Sequence, residues 1–351
     1  MLPYILQRIG YGFLVLLGIV LVVFVLFNLI PTDPARMTMG QRGDKSSLEA
    51  INKELGLDKS KGEQFLLYLN DLSPLSFHDK TKANEEKYRY VPLFTFKKAV
   101  FVLKAPYLRR SYQTRKRVTT IIAEKFPGTA VLALSSMFFA TVIGISLGVV
   151  SALKKDKWQD KLALSISTLG ISLPSFFAAI IIAWVFGFIL SEYTGLKMTG
   201  SLYEYDAFTG KYLSLKNLIL PMVTLGIRPL AIIVQLTRNS MLDVLKKDYI
   251  RTAIAKGLPM RTVVFKHALK NALNPVVTAV SGWLASLLAG AFFVEIIFGW
   301  NGIGKATVEA LSQADFPVVM GSILFVGVVF VILNILVDII YGLIDPRIKL
   351  N

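Results

Sequence analysis

Apolar residues in this chain come in long unbroken runs rather than as alternation or as one helical stripe. Residues 9–30, 128–153, 162–190, 272–294 and 316–337 hold no charged side chain, and 218–242 holds only Arg228 and Arg238. A bilayer core needs about 20 apolar residues from a crossing helix, and each of these six windows supplies that many. The pattern predicts an all-α membrane protein with six transmembrane helices. A long loop joins the first two helices, and a shorter polar segment at 246–271 joins the fourth and fifth.

The predicted plan follows from these runs. Residues 1–30 form an N-terminal segment and the first span, with residues 2–8 as a short interfacial helix. Residues 31–127 form an external insertion, and 128–345 a five-helix core. The core spans are 128–153, 162–190, 218–242, 272–294 and 316–340, and 346–351 is a cytoplasmic tail. Within the insertion, Pro31 and Pro34 end the first helix. Residues 48–57 have helical spacing. Residues 80–87 are charged and lack apolar anchors, so they read as mobile, and 88–103 alternate aromatic with polar residues as in a short hairpin.

Composition agrees with this plan and narrows the chemistry. Hydrophobic residues make up 54% of the 351-residue chain and cysteine is absent, which excludes disulfides, thiolate metal sites and a cysteine nucleophile. Only two histidines occur, His78 and His267, and neither falls in a span. The first apolar run exceeds a signal-peptide core and lacks a small-residue cleavage site after it, so it reads as an uncleaved helix.

The net charge of +16 is distributed as topology rather than as a nucleic-acid face. Lys154, Lys155, Lys157 and Lys161 lie between spans two and three. Lys246, Lys247, Arg251, Lys256, Arg261, Lys266 and Lys270 lie between spans four and five, and Arg347 and Lys349 follow span six. Short loops rich in Lys and Arg stay inside, which places both termini in the cytoplasm. The 31–127 insertion carries 19 Lys/Arg against 11 Asp/Glu, yet long loops translocate largely regardless of charge, so it is expected outside. Its basic run, Arg109-Arg110 and Arg115-Lys116-Arg117, reads as a solvated or headgroup-facing surface, with an acidic partner as the sharper alternative.

Residues 248–275 form a basic helix–turn–helix pattern broken at Gly257-Leu258-Pro259. Ala253, Ala255, Gly257 and Leu258 make a small, smooth tract, and Arg251, Lys256 and Arg261 give it charge. This segment resembles the coupling loop of ATP-binding-cassette importer permeases, in the dipeptide and oligopeptide version. Arg251-Thr252-Ala253 stands where most such loops have Glu-Ala-Ala, and Gly257 keeps the expected spacing. Further resemblance lies in Ile30-Pro31-Thr32-Asp33-Pro34, Leu173-Pro174-Ser175-Phe176, Thr237-Arg238-Asn239-Ser240-Met241, the 298–304 turn, and Leu343-Ile344-Asp345-Pro346-Arg347. Thr32 and Asn301 depart from the family's usual Gly and Pro.

The resemblance implies a transport subunit and not an enzyme. It further implies a second homologous permease, two ATPase subunits that carry ATP and magnesium, and an external binding protein that delivers cargo. The candidate ATPase-coupling residues are Arg251, Thr252, Ala253, Ala255, Lys256, Gly257 and Leu258. The chain itself has no phosphate-binding Gly-x-x-x-x-Gly-Lys-Ser/Thr loop, so hydrolysis would reside on partners.

Charge inside a span is costly and therefore a functional candidate. Arg228 precedes Pro229 and lies roughly 15 Å deeper than Arg238 at helical rise. It could line a path, bind a peptide carboxylate, or pair with Glu295, and the sequence leaves these open. Pro174 predicts a kink, Arg238 is expected to snorkel or meet backbone, and Asp338 to meet an arginine or water. Gly144 and Gly148, four apart, permit close helix packing. Rival readings are the same machinery carrying nickel chelates, oligosaccharides or glutathione, and an ion-coupled secondary transporter. A membrane-embedded enzyme is the weakest.

Overall fold

A computed structural model of the protein describes residues 2–29, 59–96, 99–206, 208 and 210–344. The expected helix end at 31–34, the helical pattern at 48–57 and the last part of the 343–347 motif lie outside these residues. Among the described residues, four helices are long and apolar enough to cross a membrane: Leu6–Phe27, Val118–Leu153, Lys216–Leu245 and Phe316–Ile339. The pair Trp158–Ser172 and Ser175–Ile189 makes a fifth if it counts as one span, and Asn274–Leu288 is a shorter apolar helix.

The chain divides into two compact units. One comprises residues 1–15, 125–306 and 326–351, and the other 16–124 and 307–325. In the first unit the long helices pack through small residues. A Cβ on Gly144 would press on Ile233 and the Leu230 carbonyl, and one on Gly148 on Thr237 and the Val234 carbonyl. Both glycines therefore let the helix Val118–Leu153 (α4) lie directly against Lys216–Leu245 (α7), as the four-residue spacing predicts. The core between them holds Leu132, Met137, Ala140, Ile233 and Val234.

The spans differ from the sequence plan where helix geometry is local. Residues 2–8 are not a separate interfacial helix, because α1 runs unbroken over Leu2–Leu29. Arg8 on α1 pairs with Asp338 at 3.2 Å, the arginine partner expected for that aspartate. Helix α4 begins at Val118 and carries Pro127 inside it, so the insertion ends earlier than 127. The third run is two helices, α5 (Trp158–Ser172) and α6 (Ser175–Trp184), bent by 112°. Pro174 sits at the break with an extended backbone, φ −60° and ψ 137°, which a helix interior cannot contain. The fifth run also breaks, into α9 (Asn274–Gly290) and α10 (Phe292–Ile297).

The second unit corrects the all-α expectation. Strands β1 (Leu75–Asp79), β2 (Val91–Thr95) and β3 (Ala99–Leu103) form an antiparallel sheet in the order β1-β3-β2. The hairpin expected over 88–103 is present as β2 and β3, and β1 joins it through pairs such as Phe77 with Phe101. Ser76, His78, Val100 and Val102 face inward, the period of two that a half-buried strand requires.

Residues 80–87 are likewise not a loop without structure. Lys82–Tyr88 is helix α3, capped by the Thr81 side chain accepting from the Asn84 amide at 3.3 Å. Its last residue, Tyr88, is the apolar anchor: its ring stacks on His78 at 4.0 Å and its hydroxyl donates to Asp71 at 2.8 Å. Lys104 donates to the Asp71 carbonyl beneath the Tyr88 ring, and burial pushes its amine down to about 8. A second, two-stranded hairpin lies in the first unit, at Tyr203–Asp206 and Gly210–Leu213.

Candidate functional site

The candidate coupling segment, residues 248–258, folds as its residue types require. Helix α8 (Asp248–Ala255) starts with a carboxylate in its first turn, favourable at the positive end of the helix dipole. It ends in a two-bond C-terminal motif. The Leu258 amide donates to the Ala253 carbonyl at 3.3 Å, and Gly257 donates to Ile254 at 2.9 Å. Gly257 stands at φ +76°, a conformation open to glycine without strain. Its first role is thus to stop the helix, and nothing lies within 4 Å of where a Cβ would be.

One face of this segment is packed and the other is bare. Ile250 and Ala253 are buried with Val263, Val264, Ala268 and Ala272 against Val149 and Ala152 of α4 and Met241 of α7. The Asn271 amide donates to the Tyr249 hydroxyl at 2.9 Å and fastens the two arms together. Of the predicted coupling residues, only Ala253 turns inward. Arg251, Thr252, Ala255, Lys256, Gly257 and Leu258 are exposed, beside a run of exposed apolar side chains: Ile254, Met260 and Phe265. Phe265 is 60% exposed, an unusual position for such a ring unless something covers it.

Immediately behind this surface lies a buried ion pair. Arg238 of α7 grips Asp160 of α5 with two bonds, Nε to Oδ1 at 2.6 Å and Nη2 to Oδ2 at 2.7 Å. The Ser151 hydroxyl and the Asp156 amide donate to the same carboxylate. Arg238 therefore does not snorkel or rest on backbone as expected; it closes a bidentate pair with a residue far away in the chain. Asp160 is 2% exposed, and all its oxygen valences visible here are used.

Deeper in the first unit, Arg228 borders a cavity of about 120 Å³. The break at Leu173 and Ser175, together with Thr224, Trp283 and Ser286, lines the rest, and no acidic residue contributes. Pro174 shapes this cavity by ending α5. Glu295 is elsewhere. It is wholly buried, accepting from the Thr129 hydroxyl at 2.6 Å and the Lys305 amide at 3.0 Å. A pairing of Glu295 with Arg228 is not formed. Glu295 instead holds the 298–305 turn, where Trp300 donates through Nε1 to the Gly128 carbonyl at 2.9 Å.

The family model described as "Binding-protein-dependent transport system inner membrane component" matches residues 144–350, more than half of the chain. The chain belongs to this family. The corresponding N-terminal family model matches residues 1–85. The dipeptide transport system permease protein DppB of Alkalihalophilus pseudofirmus is 35% identical, over 99% of this chain and all of that protein. The di/tripeptide permease DppB of Pseudomonas aeruginosa is 36% identical over 99% of both chains. The glutathione permease GsiC of Pectobacterium atrosepticum is 32% identical over 99% of both. Among solved structures, a chain of the inward-facing MetNI methionine ABC transporter matches the fold with a TM-score of 0.51. It is 18% identical and covers 65% of this chain and 97% of its own.

This permease is accordingly a multi-pass membrane transport subunit and not an enzyme, and the ion-coupled alternative finds no support. The sequence marked the helix–turn–helix at 248–275 and the breaking residues Pro174 and Gly257. It missed Asp160, whose carboxylate lies just ahead of an apolar run and reads as one more loop charge. The one available signal was its sign, opposite to the lysines around it.

Proposed function

We propose that this permease is the membrane-spanning subunit of an ATP-driven importer of short peptides. The similarity to dipeptide, di/tripeptide and glutathione permeases over whole chains supports a peptide cargo, glutathione being a tripeptide. The six-span reading takes α1, α4, the bent α5–α6 pair, α7, α9 with α10, and the helix Phe316–Ile344; among the described residues four of these, or five with the bent pair, are long and apolar enough by themselves. Both termini and the 246–271 segment lie in the cytoplasm, and the insertion lies outside, following the Lys and Arg of the short loops.

The working assembly contains a second homologous permease, two ATPase subunits holding ATP and magnesium, and an external binding protein. The observation that carries this reading is the half-bare coupling segment: Ile250 and Ala253 buried on the spans, with Arg251, Ala255 and Leu258 presented beside exposed apolar rings. An ATPase surface docked there would cover Phe265 and Met260 and move the ends of α4 and α7 with it. Arg228 lines the path, where a guanidinium next to a helix break can meet a carboxylate. Cargo then moves because ATP-bound and ATP-free partners favour different permease states.

The test is Ala255→Trp, which adds bulk to the bare face without touching the left-handed turn at Gly257. Co-purification of the ATPase subunits with this permease should fall by about tenfold or more, equivalent to a loss of about 1.4 kcal/mol in docking. Full retention with normal uptake would remove the assignment. For Arg228, replacement by Gln should lower uptake while assembly and basal hydrolysis persist. Unchanged uptake would take it out of the path.

A further inference from the structure

The coupling surface and the Asp160–Arg238 pair share the same two helix ends. Val149 and Ala152, which receive the coupling segment, flank Ser151, whose hydroxyl donates to Asp160. Met241, which receives it from the other side, is three residues beyond Arg238, so the two side chains lie about one helical turn apart. Asp160 itself opens α5, and the Asp156 amide in the α4–α5 corner donates to its second oxygen at 2.9 Å. One carboxylate thus collects a donor from the end of α4, one from the corner, and a two-pronged guanidinium from α7.

We infer that Asp160 and Arg238 are positioning residues for coupling: they lock the cytoplasmic ends of α4, α5 and α7 into one rigid lever beneath the ATPase-docking surface. The physical reason is the geometry of the grip. A single hydrogen bond lets a helix rotate about it, whereas a bidentate guanidinium–carboxylate pair fixes orientation as well as distance. Two further donors leave the carboxylate no freedom to turn. The apolar contacts of Ile250 and Ala253 alone permit sliding, because apolar burial has no directional preference.

With the lock in place, a displacement of the coupling helix is carried by α4, α5 and α7 together. The bend at Pro174, which joins α5 to α6 beside the Arg228 cavity, moves with them. Without it, α8 tilts on its apolar seat and the spans stay behind. This inference rests on the docking role of residues 248–258, and it goes beyond that role by naming what transmits the motion.

The experiment uses the assembled complex in proteoliposomes, with its ATPase subunits and binding protein. Uptake per ATP hydrolysed is measured for Asp160→Asn, for Arg238→Lys, which keeps charge but loses the second prong, and for Ser151→Ala. The expected result for Asp160→Asn is a fall of about tenfold in uptake per ATP and in the stimulation of hydrolysis by loaded binding protein, a size ordinary for coupling between sites. ATPase subunits should co-purify at wild-type yield. Arg238→Lys should fall between wild type and Asp160→Asn, and Ser151→Ala should lose about two- to threefold. If Asp160→Asn does not assemble, Ser151→Ala and Arg238→Lys decide the matter.

A merely stabilising pair gives a different outcome: uptake and hydrolysis drop together with the amount of complex, and their ratio stays at the wild-type value. That result overturns the inference while leaving the docking role intact. Failure of Ala255→Trp to affect docking would instead remove the reading on which it rests.

Discussion

Two buried carboxylates hold helix ends in this permease, and they are satisfied in opposite ways. Asp160, at the α4–α5 corner, faces a guanidinium at 2.6 Å and has its charge matched. Glu295, against the 298–305 turn, is met by the Thr129 hydroxyl and the backbone amides of Gly304 and Lys305. Both sit in close quarters: Cβ atoms on Gly302 or Gly304 would collide with the Glu295 carboxylate. The difference teaches that a two-pronged charged pair fixes the orientation of the helices it joins, whereas a carboxylate fed by neutral donors, Thr129 of α4 among them, seats a turn against a helix. The first suits a joint that must transmit force, and the second a plug that must keep its shape.

The sharpest way to break this comparison is to remove each carboxylate in turn and follow thermal unfolding of the complex. Asp160→Ala leaves Arg238 uncompensated next to apolar helix ends, and breaking such a pair costs about 3–5 kcal/mol when fully buried. Arg238 retains 14% exposure, so the lower part of that range is expected. Glu295→Gln keeps one acceptor for Thr129 but turns an amide N–H₂ towards the Lys305 N–H, at a cost of about 1–3 kcal/mol. A larger loss for Glu295→Gln than for Asp160→Ala would reverse the assignment of joint and plug.

How much of this was legible in the sequence depends on the range of the interaction. The apolar runs gave the spans because bilayer thickness acts on consecutive residues. The stop at Gly257 and the break at Pro174 were legible as backbone chemistry, but the 112° angle was not, since it depends on what α5 and α6 pack against. The Arg238–Asp160 pair was not legible: each partner was visible, but the contact joins α5 to α7, and local pattern carries no such information. Glu295 was picked out by charge, but its real partners, the Thr129 hydroxyl and the Lys305 amide, were not legible for the same reason. In the second unit, β1 buries Ser76 and His78 and exposes Leu75 and Phe77, the reverse of what its alternation of apolar and polar residues suggests. Helix α3 escaped notice because its single anchor, Tyr88, is its last residue.

A smaller effect contrasts the second unit with both carboxylates. His78 is buried between Tyr88 and the neighbouring sheet, within reach of the charges of Lys104, Asp71, Lys87 and Asp79. Burial, with Lys104 adding to it, lowers its pKa below the ordinary 6.5. Its folded form therefore takes up a proton less readily than the unfolded chain, so stability present above 6.5 is lost as the pH falls below it. Lys104, held at about 8, acts in the same direction: its penalty is full below that value and is relieved as the pH rises through it. Corrected for the intrinsic slowing of amide exchange towards acid, the hydrogen exchange of residues 75–96 and 99–104 should accelerate between about pH 7.5 and pH 5.5, and His78→Gln should flatten that dependence. Equal acceleration in both proteins would assign the pH response to other groups.

The most direct measurement of the central claim uses the absence of cysteine in this chain. Leu258→Cys places one thiol on the bare face of the coupling segment, beyond the end of α8. In membranes holding the full transporter, a short bifunctional reagent should join this thiol to an ATPase subunit, and the yield should change when a non-hydrolysable nucleotide is added. A cysteine at Ser60 in the insertion should give no such adduct under the same conditions. Cross-linking to the ATPase from Ser60 but not from Leu258 would contradict both the coupling assignment and the orientation in the membrane.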